Sequence, residues 1–162
     1  MRAVVLADTH MRPGSSRRLP DAVYGELAQA DVILHAGDVV TVELLDELRH
    51  FAPVHAVLGN NDHELGGLLP TRLELDLDGV AVAMVHDSGP SKGRARRLAR
   101  SFPDARVVVF GHSHLPLAEV GVEGQLLFNP GSSTWKRMAP TATFGLLDLA
   151  DGEVRSATLV AL

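Results

Sequence analysis

The stretch Val107-Val108-Val109-Phe110-Gly111-His112-Ser113-His114-Leu115-Pro116 carries the clearest structural signal in the sequence. Four large apolar residues in a row predict a buried strand, and this run stops at Gly111. Two histidines then follow, two positions apart. In an extended segment, residues i and i+2 project to the same side, so His112 and His114 are expected to direct their imidazoles toward nearly one place. The stretch therefore predicts a metal site, with two unrelated loop histidines as the alternative.

Apolar runs before this stretch alternate with amphipathic segments. Strands are predicted over residues 2–7, 31–35 and 54–58, and helices over residues 19–30 and 41–50. This β-α-β-α-β order is typical of a parallel sheet with crossover helices.

The second half of the chain is richer in strands. A hairpin is predicted over residues 73–85, with its turn at Asp78-Gly79, and a helix over residues 91–102. Short strands are predicted over residues 117–122, 125–128, 141–149 and 153–159, and Asp151-Gly152 is predicted to join the last two in a second hairpin. We therefore expect one α/β domain over residues 1–162, built from two facing sheets with helices outside.

Composition narrows the chemistry available to the chain. Hydrophobic residues make up 46% and charged residues 22% of the sequence, and the formal net charge is −5, which gives no sign of a bulk nucleic-acid binder. There is no cysteine, which excludes disulfides, cysteine-ligated zinc and thiol catalysis. Any metal site must use nitrogen and oxygen ligands, which suit Mn, Fe, Ni, Co or Zn.

The sequence contains no segment that resembles a membrane span. No apolar run reaches the roughly 18 residues that a transmembrane helix needs. The first eight residues turn polar too soon for a signal peptide. A cytoplasmic location is therefore expected.

Side chains that can bind metals follow five of the predicted strands. These side chains are Asp8 and His10, Asp38, Asn60, His86, and His112 with His114. The carboxyl ends of neighbouring strands in an α/β sheet line one crevice, so residues far apart in sequence are expected to meet there. A single Asp after a strand is most often a helix cap, but the recurrence at five strand ends favours one shared site.

The number of candidate ligands favours two ions over one. A single transition metal takes four to six ligands, whereas seven side chains suit two ions that share one carboxylate. Two ions about 3.5–4 Å apart can clamp a phosphoryl group and hold a hydroxide between them.

These blocks resemble the five-block signature of the calcineurin-like metallophosphoesterases, and the match covers nearly the whole chain. The compact length and the His35-Ala36-Gly37-Asp38 block resemble the small prokaryotic phosphodiesterases of that superfamily. The resemblance implies a four-layer αββα sandwich of two facing mixed sheets flanked by helices. It also implies two divalent ions per chain, with Mn as the first choice and Ni, Fe, Co or Zn as alternatives.

The resemblance further assigns ligands to each ion. One ion would be held by Asp8, His10, Asp38 and His114. The other would be held by Asp38, Asn60, His86 and His112, with Asp38 as the bridge.

Three consecutive residues, Asn60, Asn61 and Asp62, are the catalytic candidates. Asp62 is expected to orient a ligand histidine rather than to bind a metal itself. Asn61 occupies a position where many relatives carry a histidine that assists the leaving group, and an amide cannot deliver a proton at neutral pH. We therefore expect better activity on activated aryl phosphodiesters. Arg12 and Asn61 are the candidate substrate contacts. His63 is either a substitute acid or a solvated loop histidine.

The sequence thus predicts a phosphodiesterase in which a hydroxide bridging two ions attacks phosphorus. Cyclic nucleotides, nucleic-acid ends and small phosphodiesters are the candidate substrates, and a homodimer is the candidate assembly. The Arg-rich helix over residues 91–102 predicts a solvated face, or else a landing patch for a polyanion. The rival function is a scaffold or slow phosphate-binding module, because one eukaryotic retromer subunit resembles this fold.

Overall fold

A computed structural model describes all 162 residues. Ten strands form two five-stranded sheets. The strands are β1 (Arg2–Leu6), β2 (Val32–His35), β3 (Val54–Ala56), β4 (Arg72–Leu77), β5 (Val80–Val85), β6 (Val107–Val109), β7 (Leu117–Val120), β8 (Leu126–Asn129), β9 (Thr143–Ala150) and β10 (Glu153–Ala161). The helices are α1 (Asp21–Leu27), α2 (Val42–Arg49) and α3 (Arg94–Ser101), and 3₁₀ turns cover His63–Leu65 and Val122–Gly124.

Both sheets are mixed. The first has the order β10-β9-β1-β2-β3, in which β1, β2 and β3 are parallel and β9 runs antiparallel to β1. The second has the order β4-β5-β6-β8-β7, with β5, β6 and β8 parallel. The parallel strands β1 and β2 of the first sheet and β5, β6 and β8 of the second have neighbours on both sides and are largely buried, as their continuous apolar sequences require, whereas β3 is a partly buried edge strand.

Three apolar clusters separate the chain into four layers. The inner cluster joins the two sheets and includes Val5 and Leu34 from the first and Val82 and Val109 from the second. A second cluster packs α1 and α2 against the outer face of the first sheet. A third packs α3, through Leu98, against the outer face of the second. The predicted αββα sandwich is therefore confirmed.

Several elements are shorter than the sequence predicts. The helix predicted from residue 91 begins only at Arg94, because Gly93 has a φ of 74°, outside the helical region. The helix predicted over residues 19–30 covers Asp21–Leu27, preceded by Pro20 in an extended conformation. Both predicted hairpins form, with Asp78-Gly79 and Asp151-Gly152 all at positive φ in their turns. None of the helices has the length and apolar character needed to span a bilayer.

Candidate metal centre

The loop after β1 directs two side chains into the crevice between the sheets. Asp8 is fully buried, and His10 is 4% exposed. Asp8 Oδ1 accepts a hydrogen bond of 3.2 Å from the backbone N–H of His112, but Asp8 Oδ2 is buried without any partner. A carboxylate oxygen buried in this way is costly unless a cation or proton satisfies it.

Asp38, after β2, stands between two histidines. Its Oδ2 atom lies 3.3 Å from His10 Nε2 and 3.6 Å from His86 Nε2. Asn61 donates its backbone N–H to Asp38 Oδ1 at 2.8 Å and its side-chain amide to Oδ2 at 2.7 Å. The carboxylate thus faces one imidazole of each implied ligand set.

Asn60 is close to the two histidines of the second implied set. Its Oδ1 atom lies 3.0 Å from His86 Nε2 and 2.9 Å from His112 Nδ1. The other ring nitrogen of His86 donates to the carbonyl of Ala36 at 2.7 Å, which leaves Nε2 as the nitrogen with a free lone pair.

His114 and His10 form the other pair. Their Nε2 atoms are 3.2 Å apart, and His114 Nε2 lies 3.6 Å from Asp8 Oδ1. His114 Nδ1 donates to the carbonyl of Trp135 at 2.6 Å, which again directs the Nε2 lone pair into the crevice.

The segment that contains His112 and His114 has a backbone conformation that the sequence did not predict. The expectation that His112 and His114 project to one side of an extended segment is wrong, because both residues have left-handed backbones, with φ of 68° and 59°. A hydrogen bond of 2.8 Å from Ser113 N–H to the Gly111 carbonyl closes the turn between them. His112 therefore faces Asn60, whereas His114 faces His10.

Asp62 is fully buried, but its carboxylate accepts hydrogen bonds from the main chain rather than orienting a histidine. Its carboxylate accepts the N–H groups of Asp38, Val40 and Gly59 at 2.9, 2.7 and 2.7 Å. The loops after β2 and β3 are thereby fixed to each other. The histidines take their orienting partners from main-chain carbonyls instead.

An open groove of about 450 Å³ adjoins the crevice on the Asn61 side. Arg12, Asn61 and His63 line it together with acidic and small residues. Arg12 and His63 are exposed, and neither reaches the seven candidate ligands through a hydrogen bond or ion pair.

The shifted pKa values of the buried groups fit a cation site. Burial, assisted by the nearby charge of Asp38, raises the pKa of Asp8 to about 8. Burial lowers the pKa of His10 to about 4 and also lowers that of His114. Although burial acts in the opposite direction, the Asn61 amides and His86 hold the pKa of Asp38 below its ordinary value. At neutral pH the imidazoles of His10 and His114 are therefore uncharged and able to act as ligands.

Two groups of side chains have the spacing that a metal ion needs. The ligand atoms of Asp8, His10 and His114 lie within 4.8 Å of one another, and so do those of Asp8, Asp38 and His86. Asp8 is common to both groups, whereas the resemblance gives the bridging role to Asp38. The unpartnered Asp8 oxygen and the neutral imidazoles together fit divalent ions.

The segment between β8 and β9 closes the site, a role that its sequence alone does not predict. Ser132 Oγ donates to the carbonyl of Asp8 at 2.8 Å, and Thr134 Oγ1 donates to that of Thr9 at 2.6 Å. Trp135 packs edge-on against the rings of His10 and His114, with centroids 5.1 and 5.2 Å apart. The cue in the sequence was weak, because Asn129-Pro130-Gly131 reads as an ordinary turn.

Two arginines of the Arg-rich helix α3 make contacts within the fold. Arg97 donates to the carbonyls of Ser88 and Pro90, and the guanidinium of Arg94 lies over the ring of Phe110. Only part of this helix is left as the solvated face that the sequence predicts.

Comparisons with known proteins give matches over nearly the whole chain. The sequence model of the calcineurin-like phosphoesterase superfamily domain matches residues 1–152. A protein of Methanothermobacter thermautotrophicus with the name "Probable metallophosphoesterase" is 31% identical over 158 residues, covering 96% of this chain and 90% of that protein.

Solved structures share the fold. Wild-type Vps29 of Entamoeba histolytica, complexed with Zn²⁺, has a TM-score of 0.79 at 23% identity and covers 100% of this chain and 98% of its own. The E. coli phosphoesterase Yfce has a TM-score of 0.64 at 24% identity, with 98% of each chain covered.

Proposed function

This chain belongs to the calcineurin-like phosphoesterase superfamily, and we propose that it is a phosphodiesterase that uses two divalent metal ions. Membership of the family supports a metal-dependent phosphoester hydrolase. The choice of a diester substrate, the number of ions and their identity as Mn²⁺ are the parts that we propose.

One observation carries the proposal: Asp8 presents a buried carboxylate oxygen without a partner to the neutral imidazoles of His10 and His114. Asp8, His10, Asp38 and His114 would hold one ion, and Asp38, Asn60, His86 and His112 the other. When bound, such a pair supplies a hydroxide nucleophile at neutral pH and neutralises charge that develops on the phosphoryl oxygens.

The chain's own residues set the geometry for this chemistry. Asn61 donates hydrogen bonds to both carboxylate oxygens of Asp38, and Asp62 accepts hydrogen bonds from the main chain of the same loop. Trp135 and Ala36 fix the ring orientation of His114 and His86 through their carbonyls.

The groove beside Asn61 is the proposed place for the leaving group, with Arg12 at its border. Asn61 offers an amide and no transferable proton, so leaving groups that need protonation depart slowly. Aryl leaving groups, which depart as stable phenolates, are therefore the favoured class.

Hydrolysis of bis(p-nitrophenyl) phosphate tests this function. Protein stripped with EDTA should be inactive, and added Mn²⁺ should restore turnover in excess of that on p-nitrophenyl phosphate, a monoester. Asp8→Asn should remove this turnover, whereas Asp104→Asn should retain it, because Asp104 is exposed and precedes β6, at the opposite end of that strand from His112 and His114. Absence of turnover with Mn²⁺, Ni²⁺, Co²⁺, Fe²⁺ and Zn²⁺ alike would reject the proposal.

A scaffold is the second candidate, and the likeness to Vps29, a vacuolar protein sorting protein, favours it. A scaffold has no need of a complete ligand set. Metal-dependent turnover at rates unaffected by Asp8→Asn would point to a contaminant and leave the scaffold as the better reading.

A further inference from the structure

Trp135 lies beside the candidate metal centre and also contacts two arginines. The Cζ atom of Arg17 lies over its ring at 4.2 Å from the centroid, and that of Arg137 at 4.7 Å. The same indole packs edge-on against His10 and His114. Both guanidiniums thus contact the same indole that packs against two candidate metal ligands.

Neither guanidinium is neutralised within the chain. None of the salt bridges involves Arg17 or Arg137. Arg17 gives one of its donors to the carbonyl of His10 at 3.4 Å. Both Cζ atoms lie within 5 Å of one ring centroid, so the two like charges are less than 10 Å apart, and an anion that contacts both would offset their repulsion.

The position of this pair relates it to the substrate. The indole that both arginines contact lies with its centroid 5.1 Å from the His10 ring and 5.2 Å from the His114 ring, and Arg17 also donates to the His10 carbonyl. The groove beside Asn61 is lined by a different set of residues. The arginines therefore lie where the retained part of a substrate would extend, if the leaving group occupies that groove.

We propose that Arg17 and Arg137, supported by Trp135, bind a second phosphate group on the retained part of the substrate. The proposal rests on the proposed phosphodiesterase function and deepens it by naming a substrate class: phosphodiesters that carry an additional phosphate near the scissile one. Guanidinium groups match phosphate because their planar N–H pairs can donate in parallel to two oxygens. Trp135 keeps the two side chains in place through cation–π contacts.

Binding to metal-free protein tests the site apart from catalysis. Inorganic pyrophosphate is titrated into EDTA-treated protein at constant ionic strength, by calorimetry and by the fluorescence of Trp135, the one tryptophan of the chain. We expect saturable binding that changes the emission. Arg17→Gln or Arg137→Gln should weaken it about ten-fold, the loss of one charge-assisted contact.

Arg96→Gln is the matched control, because Arg96 is exposed on α3 and takes no part in the proposed site. It should bind pyrophosphate as the wild type does. Far-ultraviolet circular dichroism confirms that each variant is folded. Absence of saturable binding, or equal affinity in all four proteins, would overturn the proposal.

A pair of chromogenic esters extends the test to the substrate. Thymidine 3′-(p-nitrophenyl phosphate) is compared with its 5′-phosphorylated form on the Mn²⁺-loaded protein. The added phosphate should lower KM about ten-fold with little change in kcat, and Arg17→Gln or Arg137→Gln should remove this difference.

The two failures are distinguishable. Arginine-dependent binding of pyrophosphate without turnover of either ester would retain the phosphate site and reject the phosphodiesterase. Turnover of both esters with the same KM would retain the enzyme and reject the second phosphate.

Discussion

The backbone at the candidate ligands is unusual at the scale of single residues. Five of the seven positions have left-handed φ angles between 45° and 68°, a conformation that non-glycine residues seldom adopt. These positions are Asp8, His10, Asp38, His112 and His114. Strain of this kind persists only where surrounding contacts impose it, and it is typical of functional sites. The left-handed backbone costs stability but directs these side chains into the crevice.

Gly59 shows how closely these loops approach each other. A Cβ atom there would lie 2.2 Å from both the backbone N and the Oδ1 of Asp38. Gly59→Ala should therefore lower the free energy of unfolding by about 3 kcal/mol or more, measured by urea denaturation, because main chain must shift to make room.

Gly25 provides the matched control for that substitution. It lies within α1, and an added Cβ would meet nothing within 4 Å. Gly25→Ala should raise the free energy of unfolding by about 0.5–1 kcal/mol through helix propensity. Equal destabilisation by both substitutions would contradict the assigned role of Gly59.

The segment from Asn129 to Trp135 is the element that joins the two sheets at the site. Asn129 donates to the Gly111 carbonyl at 3.0 Å, and Ser132 Oγ donates to that of Asp8. Ser132 Oγ also accepts the N–H groups of Thr134 and Trp135 at 3.4 and 3.0 Å. One buried hydroxyl thus links the loop after β1 to the loop before β9.

Two neighbouring serines allow this link to be tested. Ser132→Ala removes these hydrogen bonds and should cost about 1–3 kcal/mol of unfolding free energy. Ser133→Ala removes a buried hydroxyl that has no partner and should be neutral or stabilising. Thermal or urea unfolding of the two metal-free variants makes the comparison. A larger loss from Ser133→Ala would show that the link is misassigned.

The sequence predicted the elements well but not the paths between them. Apolar runs and Asp-Gly turns located the strands because burial and turn chemistry are local properties. The left-handed turn at His112 and His114 depends on contacts with Asn60 and His10, which are distant in sequence. The role of Trp135 is unpredictable from the sequence for the same reason, because only the folded chain brings its loop beside the candidate metal centre.

At the scale of the whole molecule, the fold places a cluster of buried ionisable groups in the crevice at one end of its core. Burial favours the neutral form of each, so the metal-free protein holds Asp8 protonated up to pH values of about 8. In the unfolded chain the same carboxyl loses its proton near pH 4. Folding and ionisation are therefore coupled through Asp8.

The sign of that coupling gives a pH prediction. The lowered pKa values of His10, His35 and His114 make stability rise with pH only until the unfolded chain has lost its imidazole protons, which is largely complete by about pH 7.5. Between about pH 7.5 and 8.5 the coupled group is Asp8, whose proton only the folded state retains. The stability of the metal-free protein should therefore fall as pH rises through this window, by up to about 1.4 kcal/mol per pH unit.

Urea midpoints in EDTA at several pH values measure this slope. Asp8→Asn, which resembles the protonated side chain, should flatten it. Stability that rises with pH in the wild type, or a slope that Asp8→Asn leaves unchanged, would show that Asp8 is not the coupled group.

The number of metal ions bound per chain tests the two-metal centre most directly. Calorimetric titration of Mn²⁺ into EDTA-treated wild type should give two ions per chain, because seven side chains converge and both implied sets contain Asp38. Asp38→Ala should reduce binding at both sites, whereas Asp104→Ala should retain two ions. One ion or none in the wild type, or two ions bound undiminished by Asp38→Ala, would contradict the two-metal centre.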